Sequence, residues 1–344
     1  MHVRDQKIFV GLSGGVDSGV SAALLQKAGA KVTGVFIKGW YPPGMPCTWA
    51  QDRRDAMRVA ARLGIPFLTL DASAEYKKGV IDYLLSEYAQ GRTPNPDVMC
   101  NREVKFGAFY DYAKKQGADL IATGHYAQTR EVDGEIQLLR GKDAGKDQSY
   151  FLWAVPKSVL SETLFPVGGL EKREVRALAE RFNLPNARKK DSQGICFLGS
   201  ISVEDFLKEE LGSEAGIAID TEGNEVGRHD GATLHTLGER VRLTGAPPGP
   251  WYVVQKDMRE NILTVSKEPK QEETLQGIAL TETNWLIDQV GGEFEAQYRY
   301  HGPIIMGNIT DDTFTPAAIA EPLAPGQSLV LYRGERCFGG GIML

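Results

Sequence analysis

The chain has 344 residues, of which 42% are hydrophobic and 24% are charged, as is ordinary for a globular protein. Its four cysteines are too few for a disulfide scaffold, and no stretch approaches the roughly 18 consecutive apolar residues of a membrane helix. The formal net charge of −6 argues weakly against a nucleic-acid partner, although a local basic face would suffice for one. We therefore expect a cytoplasmic protein of about two or three domains, with neither a signal peptide nor a membrane partner.

Strand-like and helix-like patterns alternate from residue 7 to about residue 128. Short apolar runs predict strands at 8–12, 32–37, 67–70 and 120–123. Helical periodicity predicts helices near 19–28, 50–63, 75–90 and 105–116. Strands joined by helices favour an α/β fold with a parallel sheet and right-handed crossovers. In such a sheet a ligand binds at the carboxyl ends of the strands.

The later part of the chain is richer in strands. Residues 131–135 predict the turn of a hairpin, and 149–155 and 172–182 predict helices. From residue 216 onward, short apolar runs separated by Gly, Pro, Asn and Asp predict β structure, with paired strands at 251–254 and 262–265. The last part is typical of an all-β barrel or sandwich. We predict an N-terminal catalytic domain (1–200), a central β-rich domain (201–275) and a C-terminal β domain (276–344).

Residues 13–18, Ser-Gly-Gly-Val-Asp-Ser, lie between the first predicted strand and the first predicted helix. Their adjacent glycines allow a tight turn, and the free N–H groups at a helix start favour an anion. Ser13 and Ser18 add hydroxyl donors for phosphate oxygens. Asp17 would repel a phosphate unless a cation lay between them, so we interpret it as an indirect ligand of Mg²⁺. The stretch contains no lysine, which excludes a Walker A loop.

The same stretch resembles the pyrophosphate loop of enzymes that split ATP into AMP and pyrophosphate. A plain Gly/Ser turn before a capped helix is the alternative interpretation. The resemblance implies ATP binding by Gly11, Leu12, Ser13, Gly14, Gly15, Val16, Asp17 and Ser18. It also implies contacts from Ile37, at the end of the second predicted strand, and from Gly124, just after the fourth.

Residues 95–101, Asn-Pro-Asp-Val-Met-Cys-Asn, form a second informative stretch. Pro94 and Pro96 interrupt the helical pattern and predict a rigid loop between helices. This loop presents a carboxylate, Asp97, and a thiol, Cys100. A structural kink with a buried cysteine is the alternative. Because Cys100 and Cys196 both lie in polar, turn-containing stretches beside an ATP site, we expect sulfur chemistry.

The chain as a whole resembles bacterial-type tRNA-specific 2-thiouridylases. The matching motifs follow the family order at 11–18, 95–97, 100–101, 123–126, 146–150, 191–197, 251–254, 299–300, 326–327 and 339–341. Residues 41–46 and 234–249 depart from the family pattern. The resemblance implies an adenine-nucleotide α hydrolase domain with a parallel sheet, a small β-rich central domain and a C-terminal β-barrel.

The resemblance also implies the chemistry, with ATP and Mg²⁺ required. ATP adenylates the O2 oxygen of the wobble uridine (U34) of tRNA of the lysine, glutamate and glutamine type. A persulfide on Cys196, supplied by a sulfur-donor protein, delivers sulfur to C2. Cys100 is the implied nucleophile that resolves the persulfide or frees sulfide, which would leave a transient Cys100–Cys196 disulfide, and Asp97 is the implied acid–base group. Cys47 and Cys337 are expected to be dispensable.

The implied tRNA contacts are Asn95, Pro96, Asp97, His125, Lys146, Asp147, Gln148, Arg299, Tyr300 and Gln327. The basic run at 188–190 is a further candidate for phosphate contacts, although such runs are usually solvated.

Two other functions fit part of the pattern. A different ATP pyrophosphatase, acting on a small molecule, would keep residues 13–18 but would leave both cysteines and the β-rich C-terminal part unexplained. A non-catalytic tRNA-binding protein would need neither Asp17 nor Asp97 nor the two cysteines.

Overall fold

A five-stranded parallel sheet forms the framework of the N-terminal part. The computed structural model describes residues 3–42, 49–191, 201–269, 277–288, 290–318 and 323–344. The first strands are β1 (Lys7–Gly11), β2 (Lys31–Lys38), β3 (Phe67–Asp71), β4 (Leu120–Ala122), β5 (Ala127–Val132), β6 (Glu135–Arg140) and β7 (Thr163–Leu164). The sheet order is β3-β2-β1-β4-β7, and every pairing is parallel. The predicted parallel sheet is confirmed, with β7 as an additional short edge strand.

Helices cover both faces of this sheet. They are α1 (Val16–Lys27), α2 (Trp49–Leu63), α3 (Ser73–Tyr76), α4 (Tyr83–Ala89), α5 (Pro96–Met99), α6 (Phe109–Lys115), α7 (Lys157–Leu160) and α8 (Lys172–Arg181). Strand side chains alternate between the two faces. Ile8 and Val10 therefore pack with apolar residues of α1 and α2, whereas Phe9 packs with residues of α4 and α6. The carboxyl ends of the strands remain as the open edge of the sheet.

Two helical stretches contain π-helical segments, Lys77–Asp82 between α3 and α4, and Cys100–Ala108 between α5 and α6. They pack against each other at Gly79, where a Cβ atom would lie 2.7 Å from the side chain of Glu103. Such segments are rare and frequently occur at functional sites. The helices predicted at 75–90 and 105–116 are thus present, but with a wider helical turn in each.

The predicted rigid loop at 95–101 is wrong in its secondary structure. Asn95 is the N-cap of α5, and Pro96 is its first residue. Proline is well suited to that position because its missing N–H would have no intrahelical partner there and its fixed φ angle is helical. Asp97 and Cys100 therefore lie on one continuous helical stretch that runs on to Lys115.

The predicted hairpin is confirmed as β5 and β6, which pair antiparallel. Asp133 and Gly134 both have positive φ angles, 53° and 79°, as the preferred two-residue hairpin turn requires. The helix predicted at 149–155 is a single 3₁₀ turn, Ser149–Leu152.

The central part combines a helix with a second sheet. Its elements are α9 (Val203–Leu211), β8 (Gly216–Ile219), β9 (Glu225–His229), a 3₁₀ turn at Ala232–Leu234, β10 (Arg240–Val241), β11 (Trp251–Asp257) and β12 (Ile262–Ser266). The strand order is β10-β11-β12-β8-β9. The predicted pair at 251–254 and 262–265 is confirmed as the antiparallel strands β11 and β12.

The C-terminal part is a closed antiparallel barrel of six strands. These are β13 (Ile278–Trp285), β14 (Gly292–Gln297), β15 (Ile304–Thr310), β16 (Thr313–Pro316), β17 (Ser328–Arg333) and β18 (Arg336–Met343). Pairing of β13 with β18 closes the barrel. Strand β18 also pairs with β6 at Arg336 and Cys337, so the N-terminal hairpin extends the C-terminal sheet.

One hydrophobic cluster runs through the three parts. It includes Phe9 from the parallel sheet, Leu207 from the central part, and Val330 and Tyr332 from the barrel. Both predicted domain boundaries fall in or beside residues 192–200 and 270–276, outside the described residues. None of the described helices is long and apolar enough to span a bilayer.

Candidate functional site

Residues 11–18, which we call the pyrophosphate loop, comprise the end of β1, the turn at residues 12–15 and the start of α1. Gly14 has a φ angle of +79°, and a Cβ atom there would lie 2.5 Å from the carbonyl oxygen of Asp52. Ser13 and Ser18 shape the loop, because Gly15 N–H donates to Ser13 Oγ over 3.2 Å and Ser13 N–H donates to Ser18 Oγ over 3.3 Å. The short-range hydrogen bonds therefore hold a conformation that only glycine at position 14 accommodates.

The start of α1 is open to an anion. Its N-cap is Gly15, and no side chain caps the first turn. The first N–H groups of a helix have no intrahelical acceptor, and the helix dipole adds a partial positive charge there. Gly124 lies directly behind this turn, where a Cβ atom would be 2.7 Å from the amide nitrogen of Ser18. This donor set suits phosphate oxygens.

The other predicted ATP-binding residues surround the loop. Leu12 is buried, and its N–H donates to the carbonyl of Val35 in β2 over 2.8 Å. The Cδ1 atom of Ile37 lies 3.8 Å from where a Cβ atom of Gly11 would be. Val16 is buried in the first turn of α1. The structure thus brings Gly11, Ile37 and Gly124 to the same edge of the sheet.

Asp17 projects into a network of charged and hydroxyl groups. The Nζ atom of Lys172 lies 2.8 Å from each of its carboxylate oxygens, and the hydroxyl of Tyr126 donates to Oδ1 over 2.8 Å. Burial, and then the charge of Asp17, raise the pKa of Tyr126, so the phenol remains a donor. Among the described residues, no cluster of three or more His, Cys, Asp or Glu could hold a metal ion. A magnesium ion at Asp17 would therefore depend mainly on phosphate and water oxygens, which is its usual preference.

Residues 185–190, which include the basic run at 188–190, support the loop from outside. The amide of Asn186 donates to the carbonyls of Gly14 and Gly15 over 3.0 and 2.9 Å. Lys189 forms ion pairs with Asp52 and Asp55 at 2.9 and 2.8 Å. Its charge is thus already matched by two carboxylates of α2.

The start of α5 holds Asp97 in a defined position. Asn95 Oδ1 accepts hydrogen bonds from the N–H groups of Asp97 and Val98 over 3.1 and 3.4 Å. Burial raises the pKa of the Asp97 carboxyl, and the positive charge of Lys105 partly opposes this. A carboxyl group with a raised pKa is suited to exchange a proton near neutral pH.

Cys100 follows α5 and is 7% exposed. The next residue, Asn101, donates to the carbonyl of Phe151 over 2.9 Å, and the ring of Phe151 lies 4.4 Å from the ring of Tyr300. Tyr300 is thereby placed near the helical stretch that carries Cys100. Cys196 and Cys47 lie outside the described residues.

The predicted tRNA contacts at 146–148 have intramolecular partners. Lys146 pairs with Asp191 at 2.9 Å. Asp147 is buried and pairs with Arg140 at 3.1 Å, and it also accepts from the backbone of its own turn. Gln148 Oε1 accepts from the N–H of Tyr126 over 3.0 Å.

The remaining predicted tRNA contacts are spread between the sheet and the barrel. His125 is buried between the rings of Phe106 and Phe165, and its Nδ1 lies 2.8 Å from the hydroxyl of Thr123. Arg299 is exposed. Gln327 donates to the carbonyl of Thr93 over 2.5 Å, two residues before Asn95.

Three family models match consecutive parts of the chain. The tRNA methyl transferase HUP domain matches residues 6–200, the tRNA methyl transferase PRC-barrel domain matches 204–267, and the aminomethyltransferase beta-barrel domain matches 275–343. Proteins named tRNA-specific 2-thiouridylase MnmA are similar over nearly their full length. Identity is 44% over 99% of this chain and 95% of the protein from Pseudomonas paraeruginosa, and 44% over 99% of this chain and 93% of the protein from Pasteurella multocida. The chain belongs to this family.

The tRNA-specific 2-thiouridylase of Halalkalibacterium halodurans is 43% identical over 97% of this chain and 94% of its own length. A solved 4-thiouridine synthetase–RNA complex with bound ATP aligns at 20% identity and a TM-score of 0.36, over 59% of this chain and 50% of that chain.

Within this family frame, the structure adds residues that the sequence did not single out. Lys172, Tyr126 and Asn186 all contact the pyrophosphate loop or Asp17. Lys172 is 155 positions from Asp17 along the chain, and Tyr126 is 109 positions away. No local pattern links them. The sequence offered one indication, because Tyr126 and Asp191, the second carboxylate partner of Lys172, lie in motifs that match the family.

Proposed function

We propose that this enzyme catalyses the ATP-dependent 2-thiolation of the wobble uridine of tRNA, forming 2-thiouridine, AMP and pyrophosphate. The observation that carries the proposal is 44% identity to a tRNA-specific 2-thiouridylase over 99% of the chain. The uncapped first turn of α1 and the raised pKa of the Asp97 carboxyl in α5 support it, because adenylation needs a phosphate site and a proton-transfer group. The substrate is a tRNA with U34, of the lysine, glutamate and glutamine type.

ATP binds at the pyrophosphate loop in this proposal, with Ile37 and Gly124 beside the nucleotide. Asp17 would hold a magnesium ion through water. Such an ion would neutralise charge between the carboxylate and the phosphates. The uncapped first turn of α1 and the hydroxyls of Ser13 and Ser18 donate to phosphate oxygens.

Adenylation makes the C2 oxygen of the uridine a leaving group. The O2 oxygen attacks the α-phosphorus of ATP, the bond to pyrophosphate breaks, and the N3 proton of the base is lost. Asp97 accepts that proton. The raised pKa of Asp97 supports this role, because burial strengthens the carboxylate as a base.

Sulfur transfer then follows from a persulfide on Cys196. Its outer sulfur attacks C2, and AMP leaves with the former O2 oxygen. Attack by the Cys100 thiolate on the sulfur of Cys196 releases 2-thiouridine and forms a Cys100–Cys196 disulfide. In the alternative route, Cys100 attacks first and frees sulfide, and the sulfide attacks C2. A sulfur-donor protein and a reductant complete the cycle.

The tRNA is bound by residues from the N-terminal part and the barrel. The proposed contacts are Asn95, Pro96, Asp97, His125, Lys146, Asp147, Gln148, Arg299, Tyr300 and Gln327. In this arrangement the division at residues 200 and 275 separates the catalytic domain from a central β-rich domain and a C-terminal β-barrel domain, which contributes the contacts at 299–300 and 327. The reaction takes place in the cytoplasm.

Cysteine variants test the proposal in a single turnover. Enzyme loaded with persulfide is mixed with ATP and unmodified tRNA, and 2-thiouridine is measured by mass spectrometry. We expect Cys100→Ser and Cys196→Ser to form no 2-thiouridine. Non-reducing peptide mapping of the wild type should show the Cys100–Cys196 disulfide after turnover.

Cys337→Ala is the matched control for these variants. Cys337 is fully buried, and burial raises the pKa of its thiol to about 12, so it is not a nucleophile near neutral pH. Cys337→Ala should thiolate tRNA like the wild type. A wild type that forms no 2-thiouridine, or a Cys196→Ser variant that forms it at the normal rate from persulfide, would refute the mechanism.

A further inference from the structure

The ammonium of Lys172 lies between two carboxylates beside the pyrophosphate loop. Its Nζ atom is 2.8 Å from each carboxylate oxygen of Asp17 and 2.9 Å from Oδ1 of Asp191. The ring of Tyr126, whose hydroxyl also donates to Asp17, lies 5.7 Å from the ammonium. The side chain of Lys172 is 13% exposed. One cation thus serves two carboxylates in a position with little access to water.

The backbone of α8 fixes the direction of this side chain. Lys172 is the first residue of the helix, and its N–H donates to Oδ2 of Asp143 over 2.9 Å. Glu171 and Glu174 form a reciprocal capping box around the same turn. The placement of the ammonium against Asp17 is therefore built into the start of a capped helix.

A magnesium ion at Asp17 would compete with the ammonium of Lys172 for the same carboxylate oxygens. Both oxygens of Asp17 now accept from Lys172, so Asp17 must release at least part of this contact to serve a magnesium ion. The ammonium would then keep Asp191 but lose its second partner. A charge with little water access is costly unless it is paired. The phosphate chain supplies the missing anionic oxygen at that place.

We propose that Lys172 binds the phosphate chain of the nucleotide. When magnesium–ATP binds, Lys172 exchanges Asp17 for an oxygen of the β- or γ-phosphate and keeps its contact with Asp191. Residues 13–18 contain no lysine, so α8 provides the cation that a Walker A loop carries within its own motif. This inference rests on the proposed function, because it requires ATP as the nucleotide.

Equilibrium binding in the absence of tRNA tests the role of Lys172. Calorimetry with magnesium–ATP, magnesium–pyrophosphate and AMP compares the wild type with Lys172→Met and Lys172→Gln. We expect both variants to bind ATP and pyrophosphate about tenfold or more weakly, since a charge-assisted hydrogen bond is lost. AMP affinity should change by less than about twofold, because AMP lacks the β- and γ-phosphates.

The second variant and a neighbouring arginine serve as controls. The amide of Lys172→Gln can still donate to Asp17, so this variant removes the charge while retaining a hydrogen bond that supports the fold. Arg173→Ala changes an 82%-exposed cation on the same helical turn and should bind all three ligands like the wild type.

Three different results would refute either the assignment of Lys172 or the proposed function. Unchanged ATP and pyrophosphate affinity in folded Lys172→Gln overturns the assignment of Lys172. An equal loss for AMP also overturns it, because Lys172 would then only maintain the shape of the loop. A wild type that binds no magnesium–ATP overturns the proposed function itself.

Discussion

The carboxylate of Asp191 forms ion pairs with three cationic side chains. Lys146 contacts its Oδ2 at 2.9 Å, and Lys172 and Arg176 contact its Oδ1 at 2.9 and 2.7 Å. Burial alone would raise the pKa of this carboxyl, but the hydrogen bonds from Lys172 and Lys146 outweigh it and lower the pKa to about 2. A carboxyl whose pKa is lower in the folded state than in the unfolded state stabilises the fold above its unfolded pKa. This stabilisation is present above about pH 4 and is lost as the pH falls toward 2.

We therefore predict that Asp191→Asn lowers the free energy of unfolding by about 1–2 kcal/mol at pH 7. The difference from the wild type should shrink as the pH is reduced from 4 toward 2, because the wild-type carboxyl then becomes protonated. Urea unfolding of both proteins at a series of pH values measures this difference in the free energy of unfolding. The exposed Asp111, changed to Asn, is the control. A difference that stays constant down to pH 3 would contradict the assigned pKa.

Burial also decides what His125 can do. Burial lowers the pKa of His125 well below its usual value, so the ring is neutral. With Nδ1 engaged by Thr123, its other ring nitrogen is the one left for a further contact. In the proposed contact with tRNA, His125 would therefore serve as a neutral hydrogen-bonding group and not as a cation.

The strand–turn–helix element around Gly14 depends on two separate features of that residue. Its φ angle of +79° lies in the left-handed region, and a Cβ atom would come within 2.5 Å of the Asp52 carbonyl oxygen. Gly117 has nearly the same φ angle, +80°, but no atom lies within 4 Å of its Cβ position. Alanine substitutions at Gly14 and at Gly117 therefore separate two contributions to the loss of stability. Backbone strain contributes at both positions, whereas steric overlap contributes only at Gly14.

Gly117→Ala should lower the free energy of unfolding by about 1 kcal/mol, the usual cost of a left-handed alanine. Gly14→Ala should cost more, by about 1–3 kcal/mol beyond that, since α2 or the loop must shift. Because a shifted loop misdirects its N–H groups, Gly14→Ala should also lose most of its affinity for magnesium–ATP. Chemical denaturation and calorimetry measure the two effects. An equal loss of unfolding free energy in the two variants would contradict this prediction, because it would mean that the overlap with Asp52 does not destabilise Gly14→Ala.

Three parts of the molecule meet at the segment that leads into α5. The N–H of Thr93 donates to the carbonyl of Pro325 over 2.8 Å, and Gln327 of the same barrel turn donates to the carbonyl of Thr93. The hydroxyl of Thr93 lies 3.0 Å from that of Thr236 in the central part. Both accessory parts therefore hold the segment that precedes Asn95 and Asp97.

Gln327→Ala should loosen this segment even without tRNA. We expect faster amide hydrogen exchange at residues 93–99 and a decrease of about fivefold in kcat/KM for tRNA, from the loss of about 1 kcal/mol of hydrogen bonding. Affinity for magnesium–ATP should not change. Gln255→Ala, on the exposed face of β11, is the control. If Gln327 acts only by touching RNA, hydrogen exchange of the free protein will be unaltered.

The sequence alone determined the local elements. The strand β1, the turn at residues 13–18 and the helix α1 were predictable, since apolar periodicity and turn glycines are properties of neighbouring residues. The β5–β6 hairpin and the β11–β12 pair were predictable for the same reason. At α5 the local reasoning failed, because Pro96 was interpreted as a breaker when it begins a helix capped by Asn95.

Only the tertiary structure decided which distant segments meet. The pairing of β6 with β18, the hydrogen bonds of Thr93 to the barrel and the central part, and the contact of Lys172 with Asp17 join residues about 140 to 230 positions apart. Such contacts depend on the packing of whole elements and leave no periodic signal in either segment. The sequence thus singled out Asp17, as a proposed indirect ligand of Mg²⁺, whereas only the fold showed that the ammonium of Lys172, on a helix of the same domain, contacts its carboxylate.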